Sequence, residues 1–596
     1  MIRKFSIRNF KGMSEFVLEL DKINILAGGN NSGKTTIFHA LQLFFWCLEK
    51  IAQEDGGQVI LKKTQIPEIG AIPYFVTKDI FYRQKMRDGK RPTRINFEVE
   101  ADKLPKISID IYPAFSRNVM IDGKDKSIKK AQYLAFMKLR PVFIPSSIGI
   151  MPHEELYREV AQDRLIAEGR HNQVLRNMVF RLSKNRRLWN QYKELIQPLF
   201  QISNVEMPFN EDEDEWLSAL YDENGCRFDF ISAGSGFLQV SNILSFLLLN
   251  KSSVALLDEP DAHMHDDLQD IVYEILYRVA KKKNLQLLIS THSPTLIEAA
   301  GPENVLVIHR NKHEPLKAIQ LHELKATLAQ YGITLNARSV YDALIDSRIL
   351  FVEGVKSDYE LFLKKFGNLY NAEFSNSLRK VVVLGTNGIT NKWPVEAIGA
   401  FKELVKGDIK SLLVSDRDFN TDQEVADRMT KMSEQGLAMV ALGRRHREAY
   451  LLDPKVLSRL LKRKFIKKNK NSVSPKELSK KAIHEFILKQ AIDLEAGTRA
   501  KFTAEKPVQG SREEKEKILK SLGDFFDKNY RDVLQKQQIP FVLLDSKAVL
   551  ASFRGMVNSN YKLSFSDDEI LSTFKKTDLH DDIKLVLDKI IEVLGG

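Results

Sequence analysis

The sequence predicts an α/β protein built from two successive β-α-β series, the first interrupted by a helical insertion and the second followed by a helical region. Three observations predict it. A glycine-rich turn at residues 28–35 lies between an apolar strand and an apolar helix. Apolar runs recur at Val254-Ala-Leu-Leu, Leu285-Gln-Leu-Leu-Ile and Val305-Leu-Val-Ile, the first two separated by a helical pattern over 265–281. A second set begins at Ile349-Leu-Phe-Val and continues at Val381-Val-Val-Leu, Leu412-Leu-Val and Ala438-Met-Val-Ala-Leu. Short fully apolar strands alternating with helices are the mark of a parallel sheet covered on both faces.

The elements follow in order. Phe5, Ile7 and Phe10, then Phe16 and Leu18, then Ile23-Asn-Ile-Leu-Ala, read as short strands leading into the turn, and 37–48 reads as a buried helix. Residues 93–122 alternate as a further β region. Over 154–200 apolar residues recur at helical spacing among many Arg and Lys, without heptads long enough for an extended coiled coil. The expected domains are 1–150 and 223–335 as two parts of one nucleotide-binding fold, 151–222 as a helical insertion suited to dimerisation, 340–456 as a second α/β core, and 457–596 as a helical region that completes its site.

Composition narrows the class. With 43% hydrophobic and 28% charged residues among 596, the chain can bury ordinary cores. A net charge of +12 favours an acidic partner such as nucleic acid, although many basic proteins bind none. Cys47 and Cys226 are the only cysteines, too few for a zinc ribbon or a disulfide framework, which makes a reducing cytoplasm the expected compartment. No apolar run follows the charges of Met1-Ile-Arg-Lys-Phe-Ser, so no signal peptide is expected, and no apolar stretch is long enough for a membrane span.

Four motifs converge on a nucleotide. Gly28, Gly29, Asn30, Asn31, Ser32, Gly33, Lys34 and Thr35 fit G-x-x-x-x-G-K-[ST], with Thr36 following. Small residues let backbone N–H groups wrap phosphates, Lys34 would reach the β- and γ-phosphates, and Thr35 would ligate Mg²⁺. Asp258 and Glu259 close an apolar strand, where the first would hold Mg²⁺ and the second would orient or deprotonate the attacking water. His292 closes another strand and would contact the γ-phosphate. Ser232-Ala-Gly234-Ser-Gly236 precedes the aspartate–glutamate strand. Together with Asp261-Ala-His-Met-His265 and the opening Arg8-Asn9-Phe10-Lys11-Gly12, the set resembles the ABC-type ATPase heads of the SMC and RecF-like group over roughly residues 1–310. That resemblance implies ATP as ligand, a signature turn at Ser232 and Gly234, and at least a homodimer, because in the group one head's signature turn completes another's nucleotide site. Gln84 is one candidate for the family's Mg²⁺-sensing glutamine.

A second set of residues is acidic. Glu353 follows the run Leu350-Phe-Val and precedes Gly354, with Asp358 five residues on; Asp416 and Asp418 follow Leu412-Leu-Val-Ser. In extended chain, residues two apart share a face, so both aspartates could meet one hard cation. Acids at strand ends are also common solvated caps. The order Glu-Gly, then Asp-x-Asp, resembles the TOPRIM fold, and an ABC-type P-loop ATPase head followed by TOPRIM is similar to the OLD family of nucleases. Glu448 within His446-Arg-Glu-Ala-Tyr-Leu-Leu-Asp-Pro matches a further family acid, and Lys547 within Leu544-Asp-Ser-Lys-Ala-Val-Leu matches the segment that supplies a lysine. The resemblance implies two-metal hydrolysis of DNA phosphodiesters with Mg²⁺, or Mn²⁺ or Ca²⁺, at the nuclease site. Glu353, Asp416 and Asp418 would be the main ligands, Asp358 and Glu448 would help with a second ion, and Lys547 would neutralise charge. It also implies a setting in phage defence, as a homodimer or higher oligomer, with a partner protein such as the reverse transcriptase and RNA–DNA element of a retron. The alternative is a non-cleaving ATP-driven DNA clamp or sensor. A primase would bring a zinc module, and a topoisomerase needs a nucleophilic tyrosine, for which Tyr450 and Tyr561 are the candidates. The basic stretch 459–481, and the runs at Arg186-Arg187 and Lys281 to Lys283, suit a DNA backbone or a solvated surface equally.

Overall fold

The computed structural model describes the chain except residues 115–117, 125–126, 147–148, 168–169, 263, 310–316, 331–336, 347, 354–355, 372–373, 375–380, 387–393, 396, 400–401, 403–408, 470–473, 507–510 and 596. Gly354, His263 and Lys470 therefore lie outside the described residues. The chain divides into two units, one of Met1–Thr327 with Thr334–Ile345 and one of Leu328–Ile333 with Asp346–Gly596.

The first unit holds two six-stranded sheets. One is antiparallel, in the order Met13–Glu19, Ile2–Phe10, Ile95–Ala101, Ile107–Pro113, Val119–Gly123, Thr64–Ile66. The other runs Val142–Ile144, Val254–Asp258, Gln286–Thr291, Ile23–Ala27, Val305–His309, Lys317–Gln320, parallel except at the last strand. The helix Lys34–Ile51 buries Ile37, Phe38, Leu41, Phe44, Phe45 and Leu48 in a core that also takes residues from both sheets, such as Phe5, Phe97, Leu256 and Leu288. Each such side chain contributes about 1.5–3 kcal/mol on burial, which explains a helix apolar around most of its circumference. The insertion forms three helices, Glu159–Ala167, Leu175–Ser183 and Arg186–Phe200, the latter two packed on Ser235–Leu249. Lys283 donates to the carbonyls of Leu247, Leu248 and Asn250, so this member of the basic run 281–283 closes a helix C-terminus.

The second unit is built on a parallel four-stranded sheet in the order Val382–Gly385, Arg348–Val352, Lys410–Ser415, Ala438–Ala441. The chain goes from Arg348–Val352 to one neighbour and then crosses to the other, so the sheet reverses direction between Arg348–Val352 and Lys410–Ser415. A doubly wound sheet opens a crevice at the carboxyl ends of such strands. Val352 pairs with Val414, so Glu353 and Asp416 leave the sheet side by side. Helices from Pro454–Lys468 to Asp581–Leu594 complete this unit's core, with Leu457, Phe553 and Leu587 fully buried.

Two members of the basic stretch 459–481, with Lys455 before it, hold these helices together. Arg459 and Lys455 clamp Asp578, at 2.8 and 2.7 Å, and Lys464 pairs with Glu569 at 2.6 Å. The Asp578 side chain is only 1% exposed. Burial pushes its carboxyl up, but Arg459, Lys455 and the Lys575 N–H outweigh burial and hold it below the usual carboxylate range. A depressed folded-state pKa stabilises above the ordinary carboxylate range and loses that contribution as pH falls through it. Asp578→Asn is accordingly expected to lower stability at pH 7 by about 2–3 kcal/mol, with the deficit shrinking below about pH 4, checked by urea melts of wild type and variant at both pH values.

Candidate functional site

In the first unit, three adjacent strands, Val254–Asp258, Gln286–Thr291 and Ile23–Ala27, end on one edge and deliver the predicted residues there. The turn after Ile23–Ala27 needs unusual backbone: Asn31 has φ +63 and Gly33, the N-cap of Lys34–Ile51, φ +103. Lys34 is 5% exposed, and its Nζ donates to the carbonyls of Gly28 at 2.9 Å and Gly29 at 3.2 Å and meets His292 Nε2 at 2.7 Å. Burial pulls the Lys34 ammonium down to about 8 against the opposing pull of Glu259 and Asp258. Burial and then the Lys34 charge also lower His292, which disfavours its charged form. Its Nε2 can accept from Lys34 only when unprotonated, so Glu259 Oε1, 3.2 Å from the same nitrogen, is a neighbour and not an acceptor in that tautomer.

Thr35 Oγ1 donates to Asp258 Oδ2 at 3.0 Å. Ser290 Oγ donates to Asp258 Oδ1 and accepts the Glu259 N–H at 3.0 Å. Glu259 has φ +47, a left-handed conformation that turns it out of the strand line. Ser290 is a site residue the sequence reading passed over, although it stands inside the quoted Ile289-Ser-Thr-His292 run. Asp261 is 8% exposed, and burial raises its carboxyl to about 6.

These residues fit a phosphate with Mg²⁺. Ser32 Oγ is buried and has no hydrogen-bond partner, the loop is lined by N–H groups at a helix N-terminus, and Thr35 and Asp258 are an oxygen donor pair. Asn30 lies in this loop and Thr36 in the first turn of Lys34–Ile51. Ser232 and Gly234 do not join this group: both are exposed, Ser232 ending the short helix Phe230–Ser232 and Gly234 capping Ser235–Leu249. Gln84 donates to Asp79 Oδ1 at 3.2 Å and is exposed, so its amide is engaged away from Thr35 and Asp258.

In the second unit, the crevice gathers most of the predicted acids. Glu353 Oε2 accepts the Asp416 N–H at 3.1 Å. Asp416 is 9% exposed, and its Oδ1 accepts from the Tyr359 hydroxyl at 2.5 Å and the Arg447 N–H at 3.1 Å. Burial raises the Asp416 carboxyl to about 7 despite the Tyr359 bond, and Glu353, Asp418 and Glu448 add to the rise. Burial and then Asp418 raise Glu353, against the pull of Arg428 and Lys547. Lys547 is exposed at the start of Ser546–Tyr561, and its charge is felt by both Glu353 and His446.

One expectation is corrected. Asp416 and Asp418 do not share a face as alternate residues of a strand: Lys410–Ser415 ends before them, and Asp418 has φ +52, its N–H donating to the Arg445 carbonyl at 2.9 Å. They come together through a turn. Asp358 and Glu448, expected to help hold a second ion, are bridged by a guanidinium in this structure: Arg447 Nη2 lies 3.1 Å from Asp358 and 3.3 Å from Glu448. Arg447, Tyr359 and Arg428 were not foreseen; Arg447 stood in the quoted motif, but nothing in its spacing says it faces inward. Tyr450 is fully buried and donates to Asp582, so it is no accessible nucleophile.

Among the described residues, no three acidic, histidine or cysteine side chains already stand at metal-ligand spacing. The donor set nevertheless fits a hard divalent cation. Burial and then neighbouring carboxylates raise Glu353 and Asp416, and Glu448 Oε2 is buried without a hydrogen-bond partner.

Packing is close at Gly28, where an added Cβ would lie 2.6 Å from the Ile308 carbonyl oxygen and 2.7 Å from Ser32 Oγ. A backbone oxygen cannot swing aside, so Gly28→Ala is expected to deform the loop and weaken nucleotide binding about tenfold or more, read by titration with a fluorescent ATP analogue.

Residues 1–140 match the family model "AAA ATPase domain", and residues 162–298 match an "AAA domain" model whose description names the AbiEii toxin and a Type IV TA system. A protein of Thermus scotoductus named OLD nuclease is 21% identical over 484 residues, covering 73% of this chain and 85% of the relative. Solved structures with some likeness include an SMC head bound to the C-winged helix domain of ScpA, 14% identical over 54% of this chain and 98% of that one at a TM-score of 0.37. The SMC head domain from Thermotoga maritima is 12% identical over 54% and 98%, at 0.33. Among the described residues no helix is long and apolar enough to cross a membrane. The chain thus carries an ATPase-type nucleotide domain in its first unit, and it is similar to a protein named OLD nuclease over a length that reaches beyond that unit.

Proposed function

We propose that the chain is an ATP-gated, divalent-metal-dependent DNA endonuclease whose second unit is a TOPRIM-type nuclease domain. The observation that carries this reading is the crevice at the ends of Arg348–Val352 and Lys410–Ser415, where Glu353 Oε2 accepts the Asp416 N–H and both carboxyls are raised, first by burial and then by neighbouring acids that include Asp418. The similarity to the OLD nuclease supports it.

Mg²⁺ or Mn²⁺ bound there would supply Lewis-acid polarisation of a phosphodiester and a bound water for its hydrolysis. Glu353, Asp416 and Asp418 would hold the ion. Tyr359 and the Arg447 N–H orient the Asp416 carboxylate from one side, leaving Oδ2 for other partners. Arg447 keeps Asp358 and Glu448 together at the rim, and Lys547 would stabilise charge on the phosphate oxygens. In the first unit Lys34 would bind the terminal phosphates of ATP, Thr35 and Asp258 would hold Mg²⁺, and Glu259 would position water near His292. The exposed Ser232–Gly234 turn would complete the nucleotide site of a second copy, making the working form a homodimer or larger. The proposed setting is phage defence, with a retron's reverse transcriptase and RNA–DNA element as one class of partner.

Supercoiled plasmid and single-stranded DNA incubated with Mg²⁺, Mn²⁺ or Ca²⁺, with and without ATP, test the reading. Wild type is expected to nick or linearise plasmid, and Asp416→Ala to lose about a hundredfold or more of that activity. Lys34→Ala is expected to abolish the response to ATP while leaving the metal-dependent site intact. Wild type that leaves every substrate whole under all these conditions would instead establish the non-cleaving clamp.

A further inference from the structure

One buried cation ties the helical insertion to the Ser232–Gly234 turn. Arg176, in the first turn of Leu175–Ser183, is 2% exposed. Its Nη1 donates to the Met151 carbonyl at 2.5 Å and its Nη2 to Asp229 Oδ1 at 2.6 Å. The same Oδ1 accepts the Ile231 N–H at 2.9 Å, capping the short helix Phe230–Ser232. Ala233 N–H then closes on the Phe230 carbonyl at 3.0 Å, and the chain enters Ser235–Leu249.

The arginine is itself held from behind. Its own N–H donates to Glu154 Oε2 at 3.0 Å, and the Asn177 N–H to Oε1 at 2.7 Å, with Glu154 1% exposed. A buried guanidinium that loses its carboxylate is left as an uncompensated charge. The turn therefore cannot swing away from Asp229's present position without breaking a costly contact, although its outer residues, Ile231, Ser232 and Gly234, face solvent.

We infer that Arg176 is a positioning residue for nucleotide turnover: through Asp229 it fixes the shape of the Ser232–Gly234 turn so that the turn can complete a nucleotide site on a second copy of the chain. This rests on the proposed reading that the turn acts in trans. It adds the device that keeps the turn in register and gives the insertion a role besides packing.

The test uses the full chain. Asp229→Asn keeps an oxygen able to cap Ile231 but loses the charge opposite Arg176. Arg176→Lys keeps the charge but loses the fork that reaches both Met151 and Asp229. Both are expected to lower kcat for ATP hydrolysis about tenfold or more, while affinity of the single chain for a fluorescent ATP analogue changes by less than about twofold. Mixing either variant with Lys34→Ala is expected to restore hydrolysis, because a mixed pair has one site with an intact phosphate loop from one chain and an intact turn from the other. Unchanged kcat, or a loss that mixing does not rescue, or a parallel loss of ATP affinity and melting temperature, overturns the inference and leaves Arg176 a packing residue. Wild type that neither hydrolyses ATP nor associates in its presence overturns the in-trans reading itself, a result distinct from wild-type turnover that the variants match.

Discussion

Both candidate sites depend on one constraint, the way parallel strands end. A parallel sheet is buried on both faces, so its strands are apolar along their length and can carry polar chemistry only where they leave the sheet. In the first unit Asp258, His292 and the phosphate loop follow three adjacent strands off the same edge. In the second, Glu353 and Asp416 follow two strands paired in register through Val352 and Val414, at the point where the sheet's winding reverses. Backbone pairing thereby brings the Asp416 N–H within hydrogen-bonding distance of the Glu353 carboxylate, although the two lie far apart in the chain.

Burial then sets the electrostatics. At the phosphate loop it acts on a cation: Lys34, enclosed by loop carbonyls and His292, is pulled down to about 8, so its hold on a proton is weakened until anionic partners arrive. In the acidic crevice it acts on anions, with Asp416 pushed up to about 7 and Glu353 raised. Burial acts on the lysine of the first site and on the carboxyls of the second, and in each it weakens the charged form.

Positive charge is used unevenly elsewhere. Of the basic residues between 459 and 481, Arg459 and Lys464 are spent on Asp578 and Glu569 inside the helical region, while Arg463, Lys467, Lys480 and Lys481 remain exposed. Lys283 closes a helix end, and Arg176 is fully enclosed. A net charge of +12 therefore overstates the surface available to a polyanion, because composition counts a buried arginine and a solvated lysine alike.

The sequence by itself determined the strands, the phosphate loop and the acids at strand ends, because these are local: an apolar run, a glycine pattern and a carboxylate just past a run are each readable within ten residues. Lys34, Thr35, Asp258 and Glu353 were legible for that reason. What only the tertiary structure decided was everything that depends on direction. Asp418 leaves its strand through a left-handed turn where alternation predicted a shared face, Arg447 fills the space expected between Asp358 and Glu448, and Arg176 points into the protein toward Asp229 where a helical pattern leaves its heading open. Side-chain direction at a turn, and the choice of which charge is buried, are settled by contacts between segments far apart in the chain, and no short window of sequence contains both partners.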